Sequence, residues 1–230
     1  MIIKDLISAL MGLEGQHIWP TLSKSQAAAL AAAPTAVDAD VTVTYTVDPT
    51  LDASLADLVQ CMLPLAARYS YVDRFVYTRS RFEHGAVSHA LAAAMSVLLK
   101  EYLVLVAQLE HQFEREALSL QKLWFYVQPA MATMNVLHKI AADASARNLT
   151  GGPLLSAIHT LSVRSAGADS NTNELFRFVQ SCKIPPLCRP LNPEPLCLPF
   201  QVPPRARWRA LFRHAEGLDV QGCGGGPLRY

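Results

Sequence analysis

The sequence predicts an all-α fold, an elongated helical bundle followed by an irregular C-terminal tail. Three observations lead there. Apolar residues recur at three- and four-residue intervals over long stretches, most persistently from Ala86 to Glu116. Hydrophobic residues make up 51% of the 230 and charged residues only 17%, enough apolar surface to offset the entropy of ordering the chain. Only one stretch, Val41–Val47, alternates with the period of a strand.

Met1–Leu13 reads as a short amphipathic helix, with Ile3, Leu6, Ile7, Leu10 and Met11 on one side and Gly12 near its end. Between Gln16 and Thr35 the pattern is weaker. Ser25 is placed to cap an Ala-rich turn through Ala33, and Pro34 stops it. Val41–Val47 reads as an extended segment without a clear second strand to pair with. Asp48-Pro49 opens a turn, and Asp52 or Ser54 is positioned to cap a helix running to about Ala67. A further amphipathic segment, Tyr69–His84, ends at Gly85.

Ala86–Glu116 places Val87, Leu91, Ala94, Leu98, Leu105, Leu109 and Phe113 near one stripe. At the helical rise such a segment spans roughly 45 Å, a length that suits an extended bundle. Ser119 is placed to cap the next helix, which runs to about Ala144 and which Pro129 should kink. Its Trp124, Phe125, Tyr126, Met131, Met134 and Leu137 read as core, with the lining of a pocket as the alternative for the aromatic run and the two methionines. Gly151-Gly152-Pro153 marks a turn and a helix start, continuing to about Val163. Asn171 or Thr172 would cap a last short helix through Val179.

Composition changes near Ser181. Residues 182–230 hold nine prolines, five glycines, seven of the 20 Lys/Arg and three of the 19 Asp/Glu, which leaves residues 1–181 with a net charge of −3. The expected organisation is therefore a helical domain over 1–181 and a Pro/Cys/Arg-rich, disordered tail over 182–230. Within the tail, Arg205, Arg207, Arg209 and Arg213 are interleaved with Trp208, Leu211 and Phe212. As a helix this run would suit an anionic membrane, calmodulin or RNA. The whole chain is nearly neutral, at +1 with a pI near 7.7, which argues against nucleic acid as its general partner.

Chemistry is conspicuous by omission. No Walker motif, G-x-G-x-x-G or G-x-S-x-G occurs, and Gly222–Gly226 neither follows a strand nor precedes a helix. His84, His89 and His111 form no H-x-x-x-H or H-E-x-x-H. Cys61 stands alone, and Cys182, Cys188, Cys197 and Cys223 make no C-x-x-C. The odd cysteine count suits a reducing cytosol. Lys4, Asp5, Gly12, Glu14 and Gly15 break any signal-peptide pattern, and Lys100 and Glu101 interrupt the best membrane-span candidate, Ala86–Leu109. The expectation is a protein with no catalytic, cofactor-binding or metal-ligating residues, and not an enzyme.

Several long runs then point to a family. They are Met1-Ile-Ile-Lys-Asp-Leu-Ile-Ser-Ala-Leu-Met-Gly-Leu-Glu-Gly15, Tyr45-Thr-Val-Asp-Pro-Thr-Leu-Asp-Ala-Ser-Leu-Ala-Asp-Leu-Val59 and Ser80-Arg-Phe-Glu83. His89-Ala-Leu-Ala-Ala-Ala-Met95, Lys100-Glu-Tyr-Leu103 and Leu118-Ser-Leu-Gln-Lys-Leu-Trp-Phe-Tyr126 continue the match. Together they resemble the N-terminal conserved region of the gamma-tubulin complex component family, the spindle-pole-body component type, over roughly residues 1–165 and thinning towards 180.

The resemblance implies a helical-bundle domain that packs side by side with the same domain of neighbouring components and so orders a template for microtubule nucleation. It implies a cytoplasmic, cytoskeletal location at microtubule-organising centres, centrosomes and spindle poles. The implied partners are other gamma-tubulin complex components through lateral helical contacts, with gamma-tubulin reached indirectly because full-length members hold it through a C-terminal domain outside the resemblance. Nucleic acid, membranes and cofactors are not implied. The divergence near Phe178–Ile184, where the family continues helical, reads as a truncated, alternatively spliced or frame-shifted product. By residue type the interface candidates are Arg79, Arg81, Phe82 and Glu83, since Arg and aromatic residues are enriched in interface anchors. The plainer alternative places Phe82 in the core and the charges in water. Two rival functions remain: a basic-tail adaptor, and a non-functional fragment whose uncovered apolar faces prevent folding.

Overall fold

A computed structural model describes residues 2–21, 43–165 and 170–181. Within them lie six helices and a two-stranded antiparallel sheet: α1 (Ile2–Leu10), β1 (Ile18–Thr21), β2 (Thr44–Val47), α2 (Ala53–Arg79), α3 (Gly85–Glu114), α4 (Leu120–Ala146), α5 (Gly151–Arg164) and α6 (Ser170–Ser181). A 3-10 turn, Phe82–His84, joins α2 to α3. The tail, with its arginine run, and the Ala-rich turn expected over 25–33 lie outside the described residues. The all-α expectation holds, with the small sheet as its one addition.

Helix α2 is the hub. It packs against α4, α3, α1 and β2, while α5 and α6 cover α3 and α4. The stripe expected on α3 is the one that is buried: Val87, Leu91, Ala94, Leu98, Leu105 and Leu109 face the core, with Phe113 partly covered at the end. By length and composition α3 is also apolar enough to cross a membrane, which corrects the expectation that Lys100 and Glu101 rule this out. An 18-residue window of the helix holds no more than two charges, too few to do so. In this fold its apolar side is bundle core. Tyr102 stands at the centre of it, fully buried, with its ring 5.2 Å from Tyr69 and its hydroxyl donating to the Leu10 carbonyl at 2.9 Å. That bond satisfies one of the carbonyls orphaned at the end of α1 and pins α1 to α3.

Two segments expected separately, to Ala67 and from Tyr69, form the single helix α2. Leu63, Leu65, Ala66, Tyr69, Val72 and Phe75 bury without interruption, so packing carries the helix through. Pro64 removes one ladder bond, but it and Gln60 are exposed, so solvent can serve the carbonyl left over. Asp52 occupies the N-cap position without a side-chain capping bond. Ser119 caps α4 as expected, accepting from Lys122 N at 3.3 Å.

Thr44–Val47, within the segment expected to be extended, does have a partner strand. β1 gives no strand signal in the sequence because it is four residues long and contains Pro20. Ile18 pairs with Val47 and Pro20 with Tyr45, while Asp48 N donates to the His17 carbonyl at 2.9 Å. This register puts Pro20 at a non-hydrogen-bonded position, where its missing N–H costs the ladder nothing. Thr21 and Thr46 hydroxyls lie 2.8 Å apart across the strands.

The sheet is closed by Asp48, which accepts from Thr50 N at 3.0 Å and sits 3.4 Å from His17 Nδ1. The Thr50 backbone bond is the chief reason the Asp48 carboxyl titrates below its ordinary value. A carboxyl whose pKa is lowered by folding stabilises the fold above its unfolded pKa and loses that contribution as pH falls through the folded value. Acidification from about pH 5 to below the ordinary carboxylate range should therefore loosen this turn. The Thr50 amide NMR resonance should titrate with it, and Asp48→Asn should abolish the transition.

Helices α3 and α4 end on left-handed residues, Glu116 at φ 56° and Asn148 at φ 45°. Asn tolerates this conformation and Glu does not, and Glu116 also sets a negative charge beside the negative end of α3. Glu116→Gly should raise stability by about 0.5–1 kcal/mol in urea unfolding.

Candidate functional site

The four expected interface residues sit at the elbow where α2 runs into the 3-10 turn and then α3. The elbow treats them differently. Arg79, the last residue of α2, is only 2% exposed. Its Nη1 lies 3.2 Å from His84 Nδ1, its Nη2 donates to Asn148 Oδ1 at 3.1 Å, and its guanidinium lies 5.9 Å from the Phe75 ring centroid. Since an arginine can only donate, the contact is a hydrogen bond only with Nδ1 of His84 as the acceptor. Arg79 thus ties the end of α2 to the turn and to the end of α4.

Arg81 and Glu83 are exposed, and the side chain of Phe82 lies outside the described set. Arg81 places its guanidinium 6.0 Å from the ring centroid of Tyr77, a residue 68% exposed. Sequence reasoning missed Tyr77. The available signal was its i,i+4 spacing from Arg81, which would put both on one face if the segment expected over Tyr69–His84 were helical throughout.

Tyr77 also marks the rim of an open groove of about 810 Å³ between the end of α1, the sheet, α2 and the start of α3. Tyr45, Tyr69, Val76 and His89 line it, with Asp73 on the same wall. The Tyr45 hydroxyl lies 3.3 Å from Ser70 Oγ, which donates to the Ala66 carbonyl at 3.0 Å, so the sheet is fastened to the wall of α2. Burial raises the Asp73 carboxyl above its ordinary value. Burial, and then the charge of Asp73, raises the Tyr69 phenol.

Elsewhere the candidates for chemistry disperse. His111 sits on the surface 3.9 Å from Glu114, and Cys61 is exposed and free. Among the described residues no group of three or more His, Cys, Asp and Glu is placed to hold a metal ion. Of the aromatic and methionine stripe, Met134 is buried and Trp124, Tyr126 and Met131 pack against the core, while Phe125 stays 55% exposed. What the arrangement offers is surface: an Arg–Tyr platform beside a tyrosine-walled groove, held in place by a buried arginine.

Residues 3–192 match the family model for the gamma tubulin complex component N-terminal region. The chain belongs to the gamma-tubulin complex component family. It is 42% identical over 180 residues to gamma-tubulin complex component 2 of Mus musculus, an alignment that covers 77% of this chain and 18% of the mouse protein. Gamma-tubulin complex component 2 of Arabidopsis thaliana is 35% identical over 182 residues, 79% of this chain and 25% of the plant protein. Spindle pole body component alp4 of Schizosaccharomyces pombe is 29% identical over 145 residues, 62% of this chain and 17% of the yeast protein. The chain thus spans a quarter or less of the length of these family members. The family match runs through every described element, so the elbow and the groove belong to the family domain.

Proposed function

We propose that the chain is a non-enzymatic structural component of the gamma-tubulin complex, contributing lateral subunit packing for microtubule nucleation at organising centres and spindle poles. The observation that carries this reading is the family match over residues 3–192, together with the helical bundle formed by the described residues. Its partners are then other gamma-tubulin complex components, and gamma-tubulin is reached through them. The lateral contact falls at the elbow, where Tyr77, Arg81 and Glu83 are exposed and Arg79 fixes the turn from beneath. Arg and Tyr anchor interfaces well because each brings a large area and a directional polar group at modest entropic cost.

The test is co-purification of the full chain with a full-length related component and gamma-tubulin. The wild-type chain should retain the component, and should retain gamma-tubulin only when the component is present. Tyr77→Ala with Arg81→Glu should weaken capture at least 10-fold while leaving thermal unfolding unchanged. Soluble, folded chain that captures neither protein would remove the reading.

A further inference from the structure

Arg79 closes the elbow without a counter-ion. It is 2% exposed, and among the described residues no carboxylate forms an ion pair with it or with His84. Its two bonds go to a ring nitrogen of His84 and to the Asn148 carboxamide oxygen. The first needs a lone pair on Nδ1, and an imidazolium carries a proton on both nitrogens. Protonation of His84 therefore removes the acceptor and brings a second positive charge to a guanidinium 3.2 Å away. Helix α3 opposes the same charge, because His84 holds its N-cap position, at the positive end of a helix of 30 residues. The other charges around the joint leave this balance in place. Arg81 and Glu83 of the turn are exposed to water, which screens them. Asp143, near the end of α4, is paired with Arg147, and His89 of α3 lines the groove. Thr150–Pro153, at the start of α5, carry no charge. His84 itself is half-buried, so solvent protons reach it.

We propose that the elbow is an acid-sensitive joint in which His84 is the proton sensor: taking up a proton, it releases Arg79 and loosens the tie between the end of α2, the turn and the end of α4. An ordinary histidine takes its second proton at about pH 6.5. A clasp that requires the uncharged ring is complete above that range and is lost as pH falls through it. The Asp48 turn responds only at the lower pH of carboxylates, so the two transitions are separate events. The joint stands on the geometry of the clasp, and its test contains no partner protein, so it holds or fails apart from the lateral contact. Where that contact holds, acid weakens it, because Tyr77 and Arg81 stand on the two sides of Arg79.

The test is an NMR titration of the isotope-labelled full chain from about pH 8 to about pH 5, a range that spans histidine protonation. It follows the His84 ring, the Arg79 side-chain N–H and the Asn148 side-chain amide. The Arg79 and Asn148 signals should move along the same curve as the His84 ring. Amide hydrogen exchange over residues 79–86, corrected for its intrinsic pH dependence, should quicken at least about 3-fold across that curve, while exchange at Tyr102 in the core stays constant. His84→Gln offers an acceptor oxygen at every pH and should hold the Arg79 and Asn148 signals still. His89→Gln, which alters a histidine of the groove, should leave the wild-type transition intact. A His84 ring that titrates while Arg79 and Asn148 stay fixed overturns the proposal. So does a ring that takes no proton above about pH 5, or a transition that persists in His84→Gln. Should His84→Gln fail to fold, the wild-type titration decides by the first two outcomes.

Discussion

Replacing Tyr102 with alanine should destabilise the bundle by about 3–5 kcal/mol, the range for removing a large buried aromatic side chain. The ring is 1% exposed and packs on Tyr69, and its hydroxyl serves the Leu10 carbonyl across 92 residues of sequence. Burial pushes its phenol above the ordinary tyrosine range, which favours the neutral hydroxyl that donates this bond. Tyr102→Phe separates the two contributions. It keeps the packing, strands one buried carbonyl, and should cost about 1–2 kcal/mol. A domain with ordinary total stability of about 5–15 kcal/mol survives the phenylalanine variant and is placed at risk by alanine. Urea unfolding measures both, and α1 should detach first in hydrogen exchange of Tyr102→Phe.

Arg79→Ala should cost about 1–3 kcal/mol, because it removes hydrogen bonds to a charged group and the packing of the arginine stem on Phe75, while the exposed Asn148 can turn to water. Neither partner is a carboxylate and the arginine is 2% exposed, so the bonds also bear the cost of a buried cation. Arg79→Met keeps the stem against Phe75, removes that cost and should lose about half as much. Arg79→Lys reaches one acceptor only and should fall with alanine, since a single ammonium cannot reproduce the guanidinium fork. The same series has a second readout. If Arg79 holds the turn for partner binding, Arg79→Met folds well yet captures the neighbouring component poorly, a split that a purely stabilising residue would not produce.

Periodicity made much of this fold legible in advance. The stripe on α3 was readable because Leu and Ala positions repeat for eight turns, and Ser119 because a cap needs only local chemistry. β1 was not readable: four residues with a proline give no alternation, and its existence depends on Thr44–Val47 returning to pair with it. The continuity of α2 was hidden for a related reason, since burial against its neighbours decides whether the helix passes Pro64. At the site, residue type singled out the elbow but could not say that Arg79 faces inward while Arg81 faces water. That difference is set by Asn148, brought from 69 residues away by the packing of α4 on α2. Tyr77 and Asp73 gain their meaning only from the groove, which is assembled from four separate elements.

The claim that the α2–α3 elbow is a lateral contact face is tested most directly by hydrogen–deuterium exchange of the full chain, alone and bound to a full-length gamma-tubulin complex component. Slowed exchange across residues 73–90 on binding, with α5 unchanged, is the predicted result. Protection confined to α5 and α6, or no protection anywhere in a complex shown to be bound, would contradict it.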